Sequence, residues 1–224
     1  MELVEQDTAS RLQEIEILLK LVKQIERSQR KLHRALPVAL SAVPVLKASA
    51  FLLLYNVIES CVRSSFQQTY QEMYLNGVTF DQLPPGMREI WIRQEFSVPL
   101  DTANQSTYLQ RARKVADYIS DGNVMELNPR RLPISGSLDG ESIFKLCAKH
   151  GVPLKLSRWA YGGAELVTVK EQRNALAHGH KSFSECGREY GVQDIERIYK
   201  QTKHFLVSFI KCVAKFNGNK GFKK

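Results

Sequence analysis

A guanidinium and an imidazole stand five residues apart in Glu171-Gln172-Arg173-Asn174-Ala175-Leu176-Ala177-His178-Gly179-His180. Helical spacing puts this segment at the end of a helix running from about residue 163 to 178, with Leu166, Val169, Leu176 and Ala177 as its apolar stripe. Arg173 falls on that same stripe, seven residues after Leu166. An arginine turned toward a core or groove loses hydration, at a cost of several kcal/mol unless its charge is answered. Two answers are open: an internal carboxylate, with Glu59 as the candidate, or an open groove that takes an anion. Phosphate suits the planar fork of donors. A histidine at a helix C-terminus ordinarily caps carbonyls or answers the dipole. Beside an arginine it has a second use. Imidazole exchanges protons near neutral pH while arginine holds non-bridging oxygens, so Arg173 and His178 together can serve one phosphodiester. Asn174 is the polar neighbour that can orient Arg173 or donate to an oxygen, and His180 is a supporting candidate.

Four long helices are expected to position these groups. The first, from Thr8 to about Ala35, carries Leu12, Ile15, Leu19, Val22 and Ile25 at helical spacing. Pro37 and Pro44 interrupt the pattern, and the second helix runs from about Val45 to Leu75. Phe51, Leu52, Leu53, Leu54, Val57 and Ile58 surround it with apolar side chains, which places it at the centre of a core. Asn56, Glu59 and Arg63 share one side of it: a solvated stripe with an ordinary Glu59–Arg63 pair, or a stripe that faces a functional arginine. Asn76-Gly77 ends this helix. Residues 78–159 differ in character, with breaks at P-P-G (84–86), P-R-R-L-P (129–133) and S-G-S-L-D-G (135–140) around short helices near 86–96, 106–120 and 140–150. Asp139 is the expected N-cap of the last of these and Gly151 its stop. The fourth long helix runs from about Val192 to Phe216, and the basic tail after it, 218–224, is expected to be disordered. The pattern predicts an all-α chain: an antiparallel four-helix bundle (about 1–77 and 160–217) with a helical insertion, in one domain over 1–224.

The net charge of +9 favours polyanions, but charge alone does not choose between nucleic acid and an anionic membrane. Cys61, Cys147, Cys186 and Cys212 are scattered, with no C-x-x-C pair, so neither a disulfide framework, a metal site nor a cofactor is expected. The N-terminus M-E-L-V-E-Q-D lacks a secretory pattern. The run from Ala48 to Ile58 is shorter than the ~20 apolar residues that span a bilayer, so a cytoplasmic protein without membrane association is expected.

The string 171–180 resembles the R-x-x-x-x-H signature of the HEPN superfamily (higher eukaryotes and prokaryotes nucleotide-binding domains), including the polar residue directly after the arginine. Three further segments strengthen the likeness. L-L-Y-N-V-I-E-S-C-V-R (53–63) is similar to the second helix of a bacterial HEPN nuclease branch. I-S-G-S-L-D-G-E-S-I-F-K-L-C-A-K-H-G (134–151) resembles the helix before its motif, and S-F-S-E-C-G-R-E-Y-G-V-Q-D-I (182–195) its link into the last helix.

The resemblance implies a HEPN bundle that dimerises, bringing two R-x-x-x-x-H motifs into one cleft. It implies a metal-independent endoribonuclease used as a toxin or in phage defence, with Arg173 and His178 as the catalytic pair and Asn174 in support. Glu59 or Asn56 would compensate the converging positive charge, and an antitoxin or another defence-system protein is the kind of partner implied. A subgroup silenced by tyrosine adenylylation carries Tyr two positions after the histidine. Here that position is His180, so this regulation is not expected. RNA cleavage of this kind uses the substrate's own 2′-hydroxyl and leaves a 2′,3′-cyclic phosphate and a 5′-hydroxyl. Arg111, Lys114, Arg130 and Arg131, clustered between proline breaks, form either an RNA-positioning surface or a solvated basic loop. Two other readings compete: a non-catalytic HEPN module that binds nucleotide or RNA or neutralises a partner, and a structural adaptor whose Arg173 is tied to Glu59.

Overall fold

In the computed structural model, residues 1–31, 37–96, 105–132, 134 and 138–224 are described. Among the described residues eight α-helices run in chain order: α1 (Glu2–Lys31), α2 (Pro37–Leu75), α3 (Pro85–Phe96), α4 (Gln105–Ser120), α5 (Gly140–His150), α6 (Ala164–Ala177), α7 (Phe183–Glu189) and α8 (Val192–Gly218). Among the described residues there is no strand, only one antiparallel bridge between Thr79 and Val124. The chain is all-α, as its periodicity predicts. It divides into two compact units: Met1–Val62, Ser135–Ile143 and Lys155–Ile210 form the first, and Arg63–Ile134, Phe144–Leu154 and Lys211–Lys224 the second.

The first unit is the helical bundle that carries the R-x-x-x-x-H segment. Leu12, Ile15, Leu19 and Val22 of α1 are buried, together with Phe51, Leu54, Val57 and Ile58 of α2, Leu166 and Val169 of α6, and Ile195, Ile198, Phe205 and Phe209 of α8. The spacing within each set follows the helical repeat, so each helix turns an apolar face inward. The second helix begins at Pro37, earlier than Val45, and Pro44 lies within it. By length and composition Ser41–Leu75 is apolar enough to cross a bilayer, a longer stretch than the Ala48–Ile58 run. Ala48, Ala50, Phe51, Leu54, Tyr55, Val57 and Ile58 are fully buried within the protein. Ion pairs at the bundle surface join α1 to α8 through Lys23 and Glu196, and α6 to α8 through Glu165 and Arg197.

The short helix α7 lies where only a link is expected. Its start was readable: Ser182 and Glu185 form a reciprocal capping box, with Glu185 N–H donating to Ser182 Oγ at 3.2 Å and Ser182 N–H to Glu185 Oε2 at 2.8 Å. Glycine at 187 lets α7 approach α2, since a Cβ there would lie 1.8 Å from the Pro44 carbonyl oxygen.

In the second unit Phe66, Tyr70, Met73, Met87, Trp91 and Val213 make the core. The basic tail is not disordered, contrary to expectation. Phe222 is fully buried, its ring edge-on to Phe216 at 6.3 Å, and Lys224 N–H donates to Gln82 O at 2.8 Å. One aromatic among the charges was enough to anchor the segment, because burying a Phe side chain contributes ~2 kcal/mol or more.

His150, at the end of α5, is fully buried beside the rings of Phe66 and Tyr70. Its Nδ1 lies 2.7 Å from Leu146 O, an acceptor only, so Nδ1 carries the proton and Nε2 accepts from Tyr70 Oη at 2.7 Å. Burial pushes the imidazole down to about 4, with Lys149 adding to the effect and the Leu146 carbonyl opposing it. The unfolded chain therefore binds a proton below its ordinary pKa of ~6.5 that the fold refuses, and the folded state loses stability as pH falls from there to about 4. The expected loss is about 3 kcal/mol, read as the fall in denaturation midpoint between pH 7 and 4. His150→Phe should flatten that fall, and an unchanged pH profile in this variant would refute the assignment.

Candidate functional site

The site is built on α6 and on the first half of α2, both within the first unit. Leu166, Val169, Gln172 and Leu176 are the buried residues of α6. Arg173 is half-buried at the edge of that face, whereas Ala177, expected on the apolar stripe, is exposed. By Ala177 the inward face has turned past the core, and the helix is about to end.

It ends in a Schellman turn. His180 N–H donates to Ala175 O at 2.9 Å and Gly179 N–H to Leu176 O at 3.3 Å, and Gly179 has φ +69°. The left-handed residue reverses the chain and leaves His178 and His180 exposed on either side of it, their ring centroids 5.9 Å apart. His178 is the C-cap, its N–H donating to Asn174 O at 3.0 Å.

Arg173 meets α2 through an aromatic face. Its guanidinium carbon sits 4.4 Å from the ring centroid of Tyr55, and Nη1 donates to Asn174 Oδ1 at 2.9 Å. Asn174 thus does two things: its side chain orients Arg173 and its main chain caps His178. Cation–π contact at a partly desolvated face contributes ~0.5–2 kcal/mol and fixes the plane of the guanidinium. Tyr55 is fully buried, and its hydroxyl accepts from Leu138 N–H at 3.1 Å. Burial, more than any other influence, raises the Tyr55 phenol. The Glu59 carboxylate raises it too, while Arg173 and Lys170 pull it down. Three charges therefore surround this one ring.

Asp139 secures the neighbouring strand of contacts. It caps α5 by accepting from Ser142 N–H at 2.8 Å and holds Lys170 Nζ at 2.6 Å. Desolvation opposes its ionisation, but the Lys170 ammonium and the Ser142 donors outweigh that and hold the carboxyl at about 2. Lys170 lies one turn before Arg173, so this pair fixes α6 above Tyr55.

Glu59, the expected carboxylate partner, lies one turn after Tyr55, half-buried and close enough to act on its hydroxyl. Asn56 is exposed. Sequence reasoning missed Tyr55. A tyrosine inside the most apolar stretch of the chain needs a partner for its hydroxyl and offers a face to a cation, and that was the signal available.

Tyr55→Phe keeps the ring under Arg173 but leaves Leu138 N–H buried without an acceptor. The expected result is a loss of ~1–3 kcal/mol in chemical denaturation. An unchanged denaturation midpoint would show that the hydroxyl holds nothing in place.

The four insertion cations lie elsewhere, in the second unit. Arg111, Lys114, Arg130 and Arg131 all line one cleft of about 800 Å³. Among the described residues no cluster of three or more His, Cys, Asp or Glu side chains is placed to hold a metal ion.

The family model of MAE_28990-like HEPN domains matches residues 1–220 of the chain. No curated protein and no solved structure gives a significant match.

Proposed function

Since the chain belongs to the HEPN family, we propose that it is a metal-independent endoribonuclease whose reacting groups are Arg173 and His178. The observation that carries the reading is the α6 terminus. An arginine is pressed against a tyrosine face and aimed by the next residue's amide, while the histidine five positions on stands exposed on a Schellman turn. A structural arginine has no need of an exposed histidine at that spacing. A phosphodiester does.

The substrate's 2′-hydroxyl serves as nucleophile. A base removes its proton, the oxygen attacks the adjacent phosphorus, and the bond from phosphorus to the 5′-oxygen breaks as that oxygen takes up a proton. The products are a 2′,3′-cyclic phosphate and a 5′-hydroxyl, with no water consumed. Because the attack is intramolecular, good orientation alone can remove ~7–11 kcal/mol of barrier. His178 moves protons, Arg173 stabilises the negative charge that gathers on the non-bridging oxygens, and Asn174 keeps Arg173 in plane. Glu59 limits the positive charge that the site carries before RNA arrives. Such an enzyme fits a toxin or a phage-defence effector, restrained by an antitoxin or another protein of the same system.

Purified protein incubated with generic RNA in EDTA, followed by mapping of the new ends, tests this. Cyclic phosphate and 5′-hydroxyl ends support the reading. Intact RNA, or 5′-phosphate ends, overturns it in favour of a module that binds RNA or nucleotide without cutting.

A further inference from the structure

The cleft of the second unit is assembled from three elements. Arg111 and Lys114 come from α4, Arg130 and Arg131 from a 3-10 turn at Pro129–Arg131, and the wall between them is the end of α3. That wall is braced by a reciprocal clamp, with Asn128 N–H donating to Gln94 Oε1 at 2.8 Å and Gln94 Nε2 to Asn128 O at 3.3 Å. The last carbonyls of a helix lack intrahelical donors and carry the negative end of its dipole. Two of the four cations answer them: Arg131 Nη1 donates to Gln94 O at 2.5 Å and Arg111 Nη1 to Glu95 O at 3.2 Å. Both guanidinium groups are thus held in position at the end of α3. Lys114 and Arg130 are exposed at the rim, and Lys114 is only 4.0 Å from its carboxylate, Glu95. Four cations face two carboxylates, Glu95 and Glu126, in a cavity within the ~300–1,000 Å³ range of ligand sites.

Of the two aromatic residues lining the cleft, Trp91 is buried and Tyr118 is half-buried against it. Trp91 is 3% exposed and packed between Phe80 and Tyr118, and the Tyr118 hydroxyl donates to Val124 O. Among the described residues of the cleft, the indole face of Trp91 is covered and so is not open to a stacking base. Such a site reads phosphate rather than base, which is the requirement of a strand gripped without regard to sequence.

We propose that this cleft is a second hold on the RNA substrate: backbone phosphates of a single strand bind Lys114 and Arg130, backed by the pre-positioned Arg111 and Arg131. The choice of RNA rests on the nuclease reading of the Arg173 site, but binding is measured without cleavage. A fluorescent 2′-O-methyl oligoribonucleotide, which has no 2′-hydroxyl to attack, is titrated against wild-type protein, Lys114→Ala/Arg130→Ala and Arg173→Ala at several salt concentrations. The double variant should bind at least tenfold more weakly, with a log Kd against log salt slope smaller by about 1.4, since each single-strand phosphate contact contributes ~0.7. Arg173→Ala should keep most of its affinity. Because Lys114 and Arg130 are exposed while Arg111 and Arg131 are left to cap α3, the double variant should melt with wild type. Unchanged affinity and slope in the double variant overturn the proposal. So does full competition by ATP with no gain in affinity as the oligonucleotide lengthens, which marks a mononucleotide pocket. Loss of binding to phosphatidylserine vesicles with RNA binding intact marks a membrane site and overturns it too. If the protein proves inactive on RNA, the salt-dependent result still stands or falls by itself.

Discussion

Arg173→Ala and His178→Ala will each lower RNA cleavage by roughly 10²–10⁴-fold, the range for a single proton-transfer group or a single charge-stabilising donor. The two variants should differ in what else they change. His178 is exposed, and its capping bond comes from its main chain. His178→Ala should therefore unfold within ~0.5 kcal/mol of wild type. Arg173 covers the Tyr55 ring, so its removal should cost ~0.5–2 kcal/mol of stability as well as activity. Arg173→Lys separates charge from shape. It keeps a cation near Tyr55 but loses the planar fork, so RNA should still bind while cleavage stays low. Single-turnover cleavage, paired with a melt of each variant, decides the matter. Wild-type cleavage by His178→Ala, with contaminating nuclease excluded by purification of a matched inactive variant, would refute the assignment of the imidazole.

Asn174→Ala connects this prediction to local structure. The Asn174 amide oxygen accepts from Arg173, while its main-chain oxygen, unaffected by substitution, still caps His178. The variant should thus keep its helix end and lose only the aim of the guanidinium. Activity should fall, but by less than in Arg173→Ala.

How far these features could be read from sequence depended on range. Helix identity was local information. Leu12 to Val22 and Ile195 to Phe209 repeat at helical spacing, and both runs are buried faces of long helices. The end of α6 was equally legible, because a glycine after a periodic segment favours the left-handed residue that Gly179 supplies. The aromatic contact of Arg173 was not legible. Position on a helical wheel gives a direction and no distance, so the spacing of Asn56, Glu59 and Arg63 pointed to a polar stripe and gave no sign that the guanidinium also lies over the ring of Tyr55. The tail was misread for a similar reason. Charge and glycine content describe a segment's average, but its order came from one side chain, Phe222, finding a pocket beside Phe216. The four insertion cations line one cleft, yet nothing local could show that two of them cap α3.

A homodimer with a shared cleft should be the active species, and a dead subunit should silence the wild-type subunit paired with it. Five residues on an α-helix amount to a rotation of about 140°, and the fold keeps that divergence. Arg173 lies against Tyr55, whereas His178 stands on the solvent side of the helix end. In-line transphosphorylation removes a proton at the 2′-oxygen and delivers one to the 5′-oxygen on the far side of phosphorus, so one imidazole serves both ends poorly. Two-fold pairing of the α6 ends would supply a base from one copy and an acid from the other, with two Arg173 side chains flanking the phosphate. A two-fold contact is also the commonest mode of self-association for soluble proteins. Wild-type protein and Arg173→Ala/His178→Ala protein mixed in equal amounts, unfolded and refolded together, should place about half of all dimers in the mixed state by random pairing and leave about a quarter wholly wild-type. Each mixed cleft keeps only one histidine, so the mixture should cleave RNA at about a quarter of the rate of the same total amount of wild-type protein, against about half if each chain holds a complete site. Light scattering reports the assembly state in the same samples. A protein that stays monomeric at micromolar concentration while cleaving at its full rate contains a complete site in each chain, and the shared cleft is then wrong.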